Sequence, residues 1–162
     1  MSLGVTFFAV LLLSILLLFT LPLMKKWFQP IEIFILFMFT SYFCQNMFYT
    51  LSSPYDRISV VEEHFPFWTV RFQYGVVFSI TLLWLMVVYR TEWSLVRKLA
   101  FTFAWIIFGI VVEKIYLQIG VLRSDSISWY PSVDLFFSMI VVLLTLAFTN
   151  FLGSLLRKEN IL

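Results

Sequence analysis

The sequence predicts an all-α fold: one transmembrane domain, residues 1–162, built as an integral membrane bundle of five helices. Five apolar stretches of about 20 residues each match what a helix rising 1.5 Å per residue needs to cross a hydrocarbon core of about 30 Å. The composition is 62% hydrophobic and 12% charged, which leaves too little polar surface to hold the chain in water. The uneven distribution of Lys and Arg among the connections adds an orientation.

The first span is expected at 3–23. No Lys or Arg precedes it, it is longer than the apolar core of a signal peptide, and Lys25 and Lys26 follow directly. It is therefore read as a retained span with its N-terminus outside. Pro22 and Pro30 bracket the first turn, and the second span follows at 31–51. The segment 52–67 is the longest connection and carries Asp56, Glu62, Glu63 and His64. Within it, Ile58 to Phe65 is expected as a short amphipathic helix on the outer interface. The remaining spans are expected at 68–89, 97–117 and 131–152, with Pro131 suited to a first helical position, where its missing N–H costs nothing. The 20 Phe residues are spread through all spans and read as lipid-facing and packing surface.

Orientation follows from charge. Lys25, Lys26, Arg90, Arg97, Lys98, Arg157 and Lys158 fall on one side, and Arg57, Arg71, Lys114 and Arg123 on the other. Positive charge marks the cytoplasmic side, so the N-terminus is expected outside and the C-terminus inside. Trp68, Trp129 and Tyr130 then fit an outer aromatic belt, and Trp27 and Trp93 an inner one.

Several function classes lack their residues. A net charge of +2, dispersed at span ends, gives no footprint for nucleic acid. One cysteine, Cys44, supports neither a disulfide nor CxxC chemistry. One histidine, His64, supports no two-His metal site, so no metal or cofactor is expected. Glu62-Glu63 resembles the paired glutamates of intramembrane prenyl-protein proteases, but Phe67 stands where their Arg would be. There is no GxGD and no GxSxG, and no enzymatic activity is expected. Phe65-Pro66-Phe67-Trp68 is only distantly similar to the Trp-rich five-span tetrapyrrole-binding proteins, whose other signatures are missing.

Intramembrane ionisable groups are costly to bury and point to function by default. Arg71, Glu113, Lys114 and Asp134 are expected at similar depth in the outer half, with Gln45 and Asn46 reaching the same level. Helical spacing sets Thr102, Trp105, Gly109, Glu113, Tyr116 and Gly120 on one face of the fourth span, and Asp134, Ser138, Thr145 and Thr149 on one face of the fifth. Small and hydroxylated faces of this kind let membrane helices approach closely, so these stripes are expected to meet inside the bundle. Three readings stay open: an ion pair of Arg71 with Glu113 or Asp134 while Lys114 snorkels outward, an outward-opening pocket for a headgroup or small solute, and a proton-relay carboxylate.

The second half resembles a family of small five-span membrane proteins of spore-forming Bacillus and Clostridium relatives. The resemblance covers roughly residues 60–150 and rests on Pro66, Phe67 and Trp68 before the third span, Glu113, Lys114 and Tyr116 late in the fourth, and Trp129-Tyr130 opening the fifth. Ile127 stands where a second Trp is often found. The family is uncharacterised, so the resemblance implies a fold and a Gram-positive cell or spore membrane rather than an activity. It also implies that Glu113, Lys114, Trp129 and Tyr130 form a shared external feature.

The functional expectation is a non-enzymatic module that contacts membrane lipid, a small ligand or a partner membrane protein through the outer polar cluster. The alternative is a small transport or permeation unit, oligomeric because five short helices enclose little room.

Overall fold

The computed structural model describes residues 2–52, 58–124 and 131–158. Trp129 and Tyr130 lie outside these residues. Within them the chain is helical, and five helical segments are long and apolar enough to cross a membrane: Leu3–Lys26, Pro30–Thr50, His64–Arg90, Leu95–Ile119 and Ser132–Lys158.

Helix α1 runs Leu3–Leu18, with the Ser2 hydroxyl accepting from the Val5 N–H at 3.4 Å. It stops earlier than the expected 3–23 because the Pro22 ring would meet the carbonyl of Leu18 in a continued helix. Leu21–Lys26 forms a tighter 3₁₀ turn instead. Helix α2 is Pro30–Ser52, and its first turn holds Glu32.

The third span begins four residues before the expected 68, since Pro66 falls in its first turn, where no intrahelical N–H bond is lost. It comprises α3 (His64–Phe72), one π turn (Gln73–Val77) and α4 (Phe78–Arg90). The turn widens the helix by one residue, and the Ser79 hydroxyl donates back to the Tyr74 carbonyl at 3.1 Å. Helices α5 (Leu95–Ile119) and α6 (Pro131–Lys158) complete the bundle. Gly120 closes α5 in the left-handed region at φ 83°, which only glycine adopts freely, and so turns the chain back sharply.

The expected amphipathic helix at Ile58 to Phe65 forms only at His64 and Phe65, which open α3; the rest is extended or bent. Ser59–Val60 (β1) pairs antiparallel with Leu122–Arg123 (β2), Ser59 opposite Arg123 and Val60 opposite Leu122. The β-branched run Ile58, Val60, Val61 favours extended backbone, and Ile58, Val121 and Leu122 are buried beneath the ribbon.

The α3–α4 span is the central post. In its apolar window 61% of residues are buried, against 17% in the first span and 11% in α5. It touches α1, α2, α5 and α6, and the main core gathers around Ile80, Leu82, Leu83 and Met86. The outward faces of α1 and α5 carry large exposed apolar residues, among them Phe8, Leu12, Val96 and Ile107. Two ends can be told apart: a ribbon end, with β1 and β2, and a basic end, where the 3₁₀ turn and the termini of α2 and α4 meet.

Candidate functional site

At the ribbon end a cavity of about 70 Å³ lies between α2, the π turn, α4, α5 and α6. That is room for about two waters at ~30 Å³ each. Its walls are overwhelmingly apolar: Phe48 from α2, Tyr74 and Phe78 from the central span, Trp105 from α5 and Phe137 from α6. Tyr74 lies 4.4 Å from Phe48 and 5.0 Å from Phe78, ring to ring, and Phe78 meets Trp105 edge-on at 6.0 Å. The Trp105 indole N–H donates to the Thr81 hydroxyl at 3.0 Å, which fixes that wall. The π turn brings Tyr74 and Phe78 to the cavity together, consistent with the frequent placement of such turns at functional sites.

Two carboxylic side chains line this cavity, Glu113 from late α5 and Asp134 from the first turn of α6. Each is 6% exposed. Asp134 gains from the partial positive charge of a helix N-terminus, whereas Glu113, near a C-terminus, does not. Gly109, one turn before Glu113, keeps the α5 wall low. The meeting of the α5 and α6 stripes expected from spacing is thus present at Gly109, Glu113, Asp134 and Ser138.

The other expected members separate. The Arg71 guanidinium donates to the Gln45 side-chain oxygen at 3.2 Å and lies 5.2 Å from the rings of both Tyr49 and Phe67. Among the described residues Gln45, and not Glu113 or Asp134, is its polar partner. The reason is steric: Gly75 has no Cβ, and one placed there would collide with the Gln45 amide, so the glycine admits Gln45 to the central span. Tyr116 is buried and donates its hydroxyl to Gln73 at 2.9 Å. Asn46 is exposed and bonds locally to the Tyr42 carbonyl at 2.8 Å, and Lys114, next to Glu113 in α5, is exposed. Neither joins the cavity.

A second charged site, not anticipated, forms at the basic end. Glu32 is fully buried and accepts two bonds from Arg90, Nη2 to Oε1 at 2.7 Å and Nη1 to Oε2 at 3.2 Å. Arg90 also donates to the Trp27 carbonyl at 2.7 Å and sits 4.0 Å over the Phe28 ring, while Glu32 Oε2 accepts from the Gln29 N–H at 2.8 Å. Gly153 of α6 completes the seat, since a Cβ there would lie 3.2 Å from Arg90 Nη2. The available signal was an acid in the first turn of an apolar helix, where carboxylates cap free N–H groups. Gln73, an amide inside an apolar span, was a similar signal.

Among the described residues, no group of three His, Cys, Asp or Glu side chains is placed to hold a metal ion. No known protein family, curated protein or solved structure matches the chain.

Proposed function

We propose that this multi-pass membrane protein is a non-enzymatic binding module. Its cavity has room for a small apolar group only, so it takes one end of a lipid or small amphipathic ligand that otherwise lies against the bundle, and Glu113 and Asp134 meet the ligand's polar end. The observation that supports this is the pairing of an aromatic, apolar cavity with two buried carboxylic groups from different helices. The residues of the family resemblance support a Gram-positive cell membrane, or a spore membrane, as the setting. The bias of seven basic residues toward one side supports an external N-terminus, so that the ribbon end and the cavity face outward. A reporter fused after Leu162 should then read as cytoplasmic.

A small oligomeric transport unit is the second reading. Thr145 favours it, because its hydroxyl is buried midway along α6 with no hydrogen-bond partner among the described residues, as a group beside a hydrated path would be. The fully buried layer of Leu36, Ile80, Leu82 and Met86 between the cavity and the basic end supports binding over permeation.

Native mass spectrometry of the protein released gently from its own membrane tests the reading, with Gly109→Leu beside wild type. A discrete small molecule or lipid on wild type, absent from a folded Gly109→Leu whose leucine fills the cavity, is the expected result. A wild type that carries nothing, or a ligand indifferent to the substitution, would end the cavity reading and turn attention to protein partners.

A further inference from the structure

A second concavity lies at the ribbon end, outside the bundle. It is an open groove of about 680 Å³, almost ten times the internal cavity, between the first turn of α1, the end of α5, β2 and the start of α3. That size falls within the ~300–1,000 Å³ of ligand sites and far exceeds what one ion or water would fill. Leu3, Leu117 and Leu122 form an apolar floor, and Glu63 and Arg123 stand on its walls.

The charges decide what fits. Glu63 and Arg123 are exposed and line the same groove, yet they do not pair with each other. Neither side chain makes a hydrogen bond or ion pair among the described residues, and Glu63 does not cap α3 although it precedes the helix. The groove thus presents one cation and one anion, separately, to whatever enters. Its depth is set by the chain: Leu3 opens the first candidate span, Ile119 closes the fourth and His64 opens the third. The groove therefore lies at the boundary between hydrocarbon and water.

We propose that this groove binds the headgroup of a zwitterionic phospholipid. The phosphate lies on Arg123, whose planar guanidinium can donate two bonds to it, and the headgroup ammonium lies on Glu63. The acyl chains leave over Leu3 and Leu117 into the bilayer. A lipid with an anionic headgroup and no cation meets the same Arg123 but is repelled by Glu63, so the pair of charges selects as well as binds. This site is separate from the internal cavity and does not depend on that cavity holding anything.

The test uses the full chain in mixed micelles with equimolar phosphatidylethanolamine and phosphatidylglycerol of identical chains, read by native mass spectrometry. Wild type should retain phosphatidylethanolamine several-fold over phosphatidylglycerol. Arg123→Gln should lose that retention, and Glu63→Gln should shift the preference toward phosphatidylglycerol by removing the repulsion. Both side chains are exposed, and unchanged helical circular dichroism checks that the variants fold. Gly109→Leu should leave the preference untouched. Equal retention of the two lipids by wild type, or an unaltered preference in Glu63→Gln, would overturn the proposal. Loss of phosphatidylethanolamine in Gly109→Leu would move the lipid to the internal cavity and overturn it equally.

Discussion

The two ends of the bundle set buried carboxylic groups in different surroundings. At the basic end Glu32 is enclosed, doubly bonded to Arg90 and braced by the Gln29 N–H, and Arg90 is braced in turn by the Trp27 carbonyl and the Phe28 ring. At the ribbon end Glu113 and Asp134 border empty space walled by aromatic rings. A buried carboxylate bonded through both oxygens to a guanidinium at the bundle's edge holds one arrangement of helices and leaves no room for a ligand. Carboxylic groups beside a cavity leave room for one. The difference suits one end to locking and agrees with the binding proposed for the other.

The largest effect that could break this comparison is on Glu32. Removing one partner of a buried ion pair costs about 3–5 kcal/mol because the other charge is left without compensation. Arg90→Leu, which strands the fully buried Glu32 carboxylate, should show such a loss in unfolding from detergent; Glu32→Gln, which leaves a part-exposed guanidinium to water, should cost less, and Glu32→Leu with Arg90→Leu should recover much of the loss. An Arg90→Leu variant within about 1 kcal/mol of wild type, the value of an exposed pair, would remove the locking role. Glu113→Gln should lower ligand occupancy in native mass spectra, whereas Arg90→Leu should leave it in place on the fraction that stays folded. Occupancy unchanged by Glu113→Gln would erase the distinction between the ends.

Much of the architecture was legible in the sequence because bilayer thickness fixes helix length, and five runs of the right length have few alternative arrangements. The pairing partners were not. Arg71 carries a full charge and so draws the eye to Glu113 and Asp134, but its partner Gln45 is decided by the missing Cβ of Gly75, a close approach no spacing rule encodes. The Glu32–Arg90 pair joins residues 58 positions apart, and Arg90 reads in sequence as one more basic residue after a span. Helical periodicity did bring Glu113 and Asp134 to one cavity, because each lies on a stripe of small and polar residues that packing must turn inward. The ribbon was hidden because Ile58 to Phe65 has apolar residues at spacings that fit a short helix as well as a strand.

Gly75 offers an intermediate test on the ribbon end. Gly75→Ala pushes aside the Gln45 amide, the far end of a flexible side chain, and breaks its bond to Arg71, so the cost is that of one hydrogen bond, about 0.5–1.5 kcal/mol. A loss in that range is expected from thermal unfolding, with Gln45→Ala in the Gly75→Ala background adding little further. Charge reversal at Arg71 and Glu113 together should give no rescue over the single reversals, since Gln45 and not Glu113 bonds Arg71. A clear rescue would restore the direct ion pair and break the present account of that end.

The smallest effect tests the layer between the ends. Thr145 is fully buried, and its hydroxyl has no partner among the described residues, while the Thr149 hydroxyl one helical turn along bonds the Thr145 carbonyl at 2.7 Å. A buried polar group without a bond costs about 1–3 kcal/mol, and replacing it by an apolar group of the same shape is close to neutral or stabilising. Thr145→Val keeps the volume and removes the hydroxyl, so its midpoint of thermal unfolding should stay level or rise. If the layer is dry, as the packing of Leu36, Ile80 and Met86 around the central span indicates, the variant gains and nothing else changes. A loss of stability would mean that the hydroxyl bonds a water there, which would make the middle of the bundle wet and raise the transport reading over the binding one.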